Sequence, residues 1–143
     1  MLHLAVVLGA LANATTAVRL SLHVFAAAVW VGGQLTVAGL LPTVRRLGDE
    51  APKKVARAFA RIEWPMFGLL IATGIWNAVA DNPSKQNSAW NAVLGAKIAV
   101  VLLAGLAAYW HGRARTKLGL AAFGGIAGLA SLAALVLGVL LAG

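Results

Sequence analysis

The sequence contains no cysteine, which excludes disulfides, thiolate metal sites and thiol nucleophiles together. Acidic residues are nearly as scarce: there are four in 143 positions, and charged residues of both signs make up only 11%. That is too little charge to cover a soluble domain of this length. No catalytic triad, no pair of carboxylates within an apolar run and no phosphate-binding loop can be assembled from these residues. The chain also has no internal repeat, no low-complexity tract and no soluble domain. Methionine occurs only at Met1 and Met66, so soft sulfur donors for Cu(I) are almost missing.

What the chain has instead is apolar residues, at 61%, with 16 glycines. This composition reads as an all-α integral membrane protein, a single transmembrane domain over residues 1–143. The formal net charge of +8 would ordinarily suggest a nucleic-acid partner. Here Arg45, Arg46, Lys53, Lys54, Arg57 and Arg61, then Arg113, Arg115 and Lys117, fall in two short segments between apolar runs. Charge gathered in that way reports topology, and the partner it implies is the lipid bilayer, not nucleic acid.

A hydrocarbon layer about 30 Å thick needs about 20 apolar residues in helical form. Four segments meet that requirement, at about 16–41, 64–80, 90–111 and 119–142. Together they predict a four-helix bundle. The second span is short, so it is expected to continue from the stretch Pro52–Trp64. There Val55, Phe59 and Ile62 share one face and Lys54, Arg57 and Arg61 another, the pattern of a short amphipathic surface helix. Pro65 predicts a kink where the chain enters the bilayer. The two basic connections are cytoplasmic by the positive-inside rule, so both termini lie outside, as in a bacterial-type inner (plasma) membrane. Trp64, Trp76, Trp90 and Trp110 fall near span ends as an aromatic belt, whereas Trp30 lies in mid-span. The first residues, MLHLAVVLGALANA, are too short to span and lack a basic start. An uncleaved extension or an outer-surface helix suits them better than a cleaved signal peptide.

At 100° per residue, Arg19, His23, Ala27, Trp30 and Gln34 form one stripe on the first span. Met66, Thr73 and Asn77 line the second span, and Trp90, Lys97, Ala104, Ala108 and His111 the third. The fourth span offers Gly124, Gly128, Ser131 and Gly138, a small-residue face for close helix packing that also allows a homodimer. With about 1.5 Å of rise per residue, His23 and Lys97 lie roughly 10 Å below the outer end and Asn77 a little shallower. These three residues are expected to meet in a polar pocket in the outer half of the bundle. His111 belongs to the cytoplasmic end, so the two histidines occupy separate environments.

The motif LHVFAAAVWVGGQL resembles the copper-resistance D (CopD) membrane family, in which a Leu-His pair precedes Trp-x-Gly-Gly at this spacing. LGAKIAVVLLAGLAAYWHGRAR is similar to the Lys-bearing helix of that family, and also to HemJ-type protoporphyrinogen oxidase, a related four-helix membrane protein. RIEWPMFGLLIATGIWN resembles the Pro-started second half of both. The likeness runs from residue 18 to about residue 117. After the tryptophan, VGGQLTVAGLLPTVRR departs from the HemJ pattern, which favours the CopD side. The resemblance implies copper binding or transport, or, through the other relative, a haem b protein or a porphyrin-oxidising enzyme.

His23 is the leading candidate ligand, because an imidazole inside a span is costly without a partner. A copper ion would draw on His23, with His3 and Met66 as further donors. In that reading Trp30 is the pocket wall and Lys97 and Asn77 tune access; a haem or porphyrin would instead use His23 as axial ligand and Lys97 to hold a propionate. A third reading makes the polar stripe a purely structural device in an accessory subunit. Arg19 is expected at the outer headgroup level, and Glu63 beside Arg61 as a surface pair. Gly32 and Gly33 are expected to permit close helix contact.

Overall fold

In a computed structural model of the protein the described residues are 14–142; His3 and the rest of the first 13 residues lie outside them. The described residues form four helices, each long and apolar enough to cross a membrane. Helix α1 runs Ala14–Arg46, α2 Ala51–Asp81, α3 Ser88–Arg113 and α4 Lys117–Ala142. No strand occurs among the described residues. The all-α architecture expected from composition is therefore the one observed.

α1 and α2 overshoot the predicted spans. Their 33 and 31 residues correspond to about 46–50 Å of rise, more than the hydrocarbon layer requires. As expected, the second span is continuous with the amphipathic stretch 52–64, which forms the opening turns of α2; the helix runs on through Pro65. Pro42 likewise lies within α1. A Pro in a helix interior removes one backbone bond, and the long flanking helical segments retain the rest.

The connections are short and each has a local cause. Gly48 adopts φ +121°, a conformation that side chains disfavour, between α1 and α2. Beside it, the Glu50 carboxylate accepts from Lys53 Nζ at 2.7 Å. That hydrogen bond and the ammonium charge hold the Glu50 carboxyl below its ordinary range. Asn82 ends α2 in the left-handed region at φ 51°, where Asn is among the better-tolerated residues. A 3-10 turn, Pro83–Lys85, follows. Asn87 then caps α3, its side chain accepting from Trp90 N at 2.8 Å.

The helices pack as two hairpins, α1 against α2 and α3 against α4. The hairpins meet at a π-helical turn inside α1, Ala28–Gly32. A π turn adds a residue to one turn and so re-aims the side chains it carries. Here it carries Trp30, which is 2% exposed and the largest fully buried side chain among the described residues. Its Nε1 donates to Ser131 Oγ on α4 at 2.8 Å. Its ring lies 4.3 Å from Phe67 and edge-on to Trp64 at 6.0 Å, centroid to centroid, both on α2. One side chain of α1 thus ties together α2 and α4. Around it the core is mostly alanine: Ala26, Ala104, Ala107, Ala127 and Ala130 are buried. Small residues suit a membrane bundle, where close backbone approach and dispersion replace the hydrophobic drive.

Candidate functional site

The polar stripe of α1 faces protein, as its composition requires. Three levels can be followed along it, beginning at the end that carries the 82–87 connection.

At the first level Arg19 is 7% exposed. Its guanidinium donates to the Asn77 carbonyl at 3.1 Å and to Asp81 Oδ1 at 3.4 Å. Arg19 turns towards the bundle because α2 extends to Asp81 and supplies both an acceptor and a counter-charge. Asn77 belongs to this level. Its side-chain Oδ1 is buried without a hydrogen-bond partner.

The second level holds His23. Its Nδ1 lies 2.9 Å from Thr73 Oγ1. The Thr73 hydroxyl lies 2.7 Å from the Leu69 carbonyl and 3.3 Å from that of Leu70. A hydroxyl has one proton, and here the backbone carbonyl takes it. With that proton directed to the Leu69 carbonyl, the shorter of its two carbonyl contacts, Thr73 Oγ1 accepts from His23, and the Nδ1–H tautomer is assigned on that basis. In the neutral ring this leaves Nε2 with its lone pair. Gly74 gives the ring room, since a Cβ there would lie 3.4 Å from His23 Cε1. Lys97 of α3 lies within Coulombic reach of the ring. Its Nζ rests against Gly138 of α4, where a Cβ would stand 2.9 Å away. The side chain bonded to His23 is Thr73 and not Asn77, and Lys97 reaches the ring through its charge.

The third level is the aromatic cluster of Trp30. Beyond it Gln34 and Glu63 face each other between α1 and α2. By distance and angle, however, the buried Gln34 Nε2 closes no hydrogen bond. Glu63 is half-buried and makes no ion pair with Arg61, contrary to the surface pair expected. Residues two apart on a helix point to different sides, and only Glu63 points inward. Of the glycine pair, Gly33 makes the close contact, because a Cβ there would lie 2.5 Å from the Phe59 ring. Gly32 has open space around it.

Met66 is seven residues from Thr73 on α2, about 10 Å of rise, and so is not brought to His23. His3 lies outside the described residues. Among the described residues no three His, Cys, Asp or Glu side chains converge to hold a metal ion. The second histidine, His111, faces α4, with Nδ1 2.9 Å from the Leu120 carbonyl and its ring against Gly124. The two histidine environments are separate, as expected.

The arrangement therefore offers one preoriented imidazole, an ammonium near it and a buried amide oxygen one turn away. The sequence pattern puts Thr73 on the correct face without giving it a role; the signal that finds it is depth, since Thr73, not Asn77, matches His23 in distance from the helix end. Comparison of the chain with protein-family models, with curated proteins and with solved structures gives no match.

Proposed function

We propose that this multi-pass membrane protein binds a ligand through His23, and that a haem b or a related porphyrin suits the donor set better than a copper ion does. The observation that carries this reading is the bond from His23 Nδ1 to Thr73 Oγ1 at 2.9 Å. An imidazole whose Nδ1 proton is tied to an oxygen acceptor is oriented for ligation through Nε2, the arrangement typical of metal-bound histidine. A macrocycle supplies most of the ligands to its own iron, so one protein imidazole suffices. A bare copper ion would need more donors than the described residues bring together. Lys97 would hold a propionate, Asn77 would meet a polar edge, and Trp30 would wall the site from the third level. When bound, the group would supply redox or electron-transfer chemistry.

Copper handling, which the CopD resemblance implies first, requires further donors from residues 1–13, His3 among them, or from a second copy. The glycine-bearing face of α4 is the surface on which a homodimer would form. The two basic connections argue for a cytoplasmic location of that end and an inner (plasma) membrane for the protein.

A structural reading is favoured by a specific observation of its own: the polar bonds His23–Thr73 and Trp30–Ser131 both join helices. The experiment that separates the three is an absorption spectrum and metal analysis of the purified protein beside His23→Ala. A Soret band lost in the variant supports haem. A colourless protein with His23-dependent copper supports the CopD reading. Absence of both, with a His23→Gln protein that folds normally, supports the structural role.

A further inference from the structure

The α1–α2 and α3–α4 hairpins meet at Trp30, and beyond it α2 and α3 both reach the end that carries the two basic connections. Two grooves open between them. One, of about 490 Å³, is lined by Ala60, Trp64, Ala108, Tyr109, Gly112 and Arg113. The other, of about 300 Å³, is lined by Trp64, Phe67, Leu102, Gly105, Leu106 and Tyr109. Trp64 and Tyr109 belong to both, so the two lie side by side on the bundle and are treated together as the α2–α3 furrow.

The furrow is chemically graded. Its apolar end is walled by aromatic and aliphatic carbon together with Gly105, while the end nearer the basic connections, its mouth, carries the Arg113 guanidinium. From Gly105 to Arg113 is eight residues of α3, about 12 Å of rise, which is the distance from upper acyl chain to headgroup. The guanidinium is held 3.7 Å above the centre of the Tyr109 ring. A cation–π contact of this kind fixes the group without neutralising it. No carboxylate pairs with Arg113 among the described residues. Arg115 and Lys117 follow within four residues, adding to the positive field at the mouth.

We propose that the α2–α3 furrow is a binding site for one anionic phospholipid of the leaflet next to the basic connections. Its phosphate sits on Arg113 and one acyl chain lies along Trp64, Phe67, Leu102 and Leu106. Charge complementarity selects the occupant: an unpaired guanidinium at a bilayer surface favours an anionic headgroup, and an apolar slot open to the side admits a chain from the bilayer. The site is separate from His23, so its failure leaves the ligand reading of His23 untouched.

The test is native mass spectrometry of the full chain released from micelles containing phosphatidylglycerol or phosphatidylcholine with the same acyl chains. The wild-type protein is expected to retain one phosphatidylglycerol, with phosphatidylcholine bound about fivefold more weakly, because its choline ammonium, next to the phosphate both lipids share, is repelled by Arg113 and its basic neighbours. Arg113→Gln is expected to abolish that preference, whereas Arg115→Gln, which removes the same charge outside the furrow, keeps it. Ala108→Phe, which fills the mouth without changing charge, is expected to release the lipid. Circular dichroism confirms that each variant remains helical. Equal losses for Arg113→Gln and Arg115→Gln would reduce the effect to general surface charge and overturn the proposal. So would a dimer in the wild type that Ala108→Phe dissociates, because the occupant would then be a second copy of the chain. Displacement of the lipid by millimolar inorganic phosphate would overturn it too, since the acyl slot would then contribute nothing.

Discussion

Trp30 on α1 donates its indole N–H to Ser131 on α4 at 2.8 Å while its ring packs on Phe67 of α2. The same side chain thus makes a polar contact to the other hairpin and a dispersion contact within its own, and magnitudes say which matters more. Interhelical hydrogen bonds in membrane proteins average about 0.6 kcal/mol, because the separated helices also find partners. Emptying a buried Trp site costs about 3–5 kcal/mol by analogy with soluble cores. Trp30→Phe is therefore expected to lower stability by about 1 kcal/mol or less, and Trp30→Ala by several times that. Unfolding titrations in mixed micelles measure both. Equal losses for the two variants would show that the hydrogen bond, not the ring, holds the hairpins together.

The glycines divide into those with a close neighbour and those without. At Gly105 a Cβ would meet the Phe67 ring at 2.6 Å, and that ring is itself stacked on Trp30. At Gly138 the obstacle is only the tip of Lys97, and at Gly128 nothing lies within 4 Å. Gly105→Ala is expected to destabilise by about 1–3 kcal/mol, the range of overpacked cores. Gly138→Ala should cost little, because a lysine tip swings aside, and Gly128→Ala should be neutral or mildly stabilising. Thermal unfolding of the three variants checks the order. A large loss at Gly128 would mean that this face is covered, as a homodimer through α4 would cover it, and size-exclusion chromatography with light scattering would then report the change of mass.

Arg19 and Asp81 form an ion pair at 3.4 Å, with the carboxylate side chain 43% exposed and the arginine side chain 9%. Solvent reaches the pair from one side, so its coupling in a double-mutant cycle is expected at about 0.5–1 kcal/mol. Arg19→Gln should cost more than Asp81→Asn, because the Asn77 carbonyl also loses its donor. The reverse order would indicate that Asp81 has a partner beyond the described residues.

The helical spans were legible because lipid demands backbone bonding within each element, and apolar length reads that demand directly. The stripe Arg19, His23, Trp30 was legible for the same reason, since polar groups must turn from lipid. The π turn at Ala28–Gly32 was not legible. Nothing in AVWVG distinguishes a π from an α turn; packing of Trp30 against two other helices decides it. The pairing of His23 was missed by one turn. Counted from the predicted ends at residues 16 and 80, His23 and Thr73 already lie equally deep, whereas Asn77 is about one turn shallower; the pairing went to Asn77 because an amide was weighed above a hydroxyl as a partner for the imidazole. In the structure Arg19 pairs with Asp81 and His23 with Thr73. Glu63 turned inward because α2 begins at Ala51 and carries it on the face towards Gln34, a register that a separate surface helix would not have set.

Thr73 carries the orientation of His23, and conservative changes there separate orientation from bulk. Thr73→Ser keeps an acceptor for Nδ1–H and is expected to preserve whatever His23 binds. Thr73→Val keeps the shape, removes the acceptor and frees the ring to turn. Loss of such an outer hydrogen bond weakens metal or haem ligation by about 10–100-fold. Identical affinities in Ser and Val variants would mean that the Thr73 bond only joins α1 to α2.

The most direct measurement is a titration of haem into the purified protein in micelles, followed at the Soret band, for the wild type, Thr73→Val and His23→Ala. The account predicts saturation at one haem per chain in the wild type, weaker binding in Thr73→Val and none at that site in His23→Ala. A titration curve unchanged by His23→Ala, or a wild-type protein that takes up no haem, would contradict it.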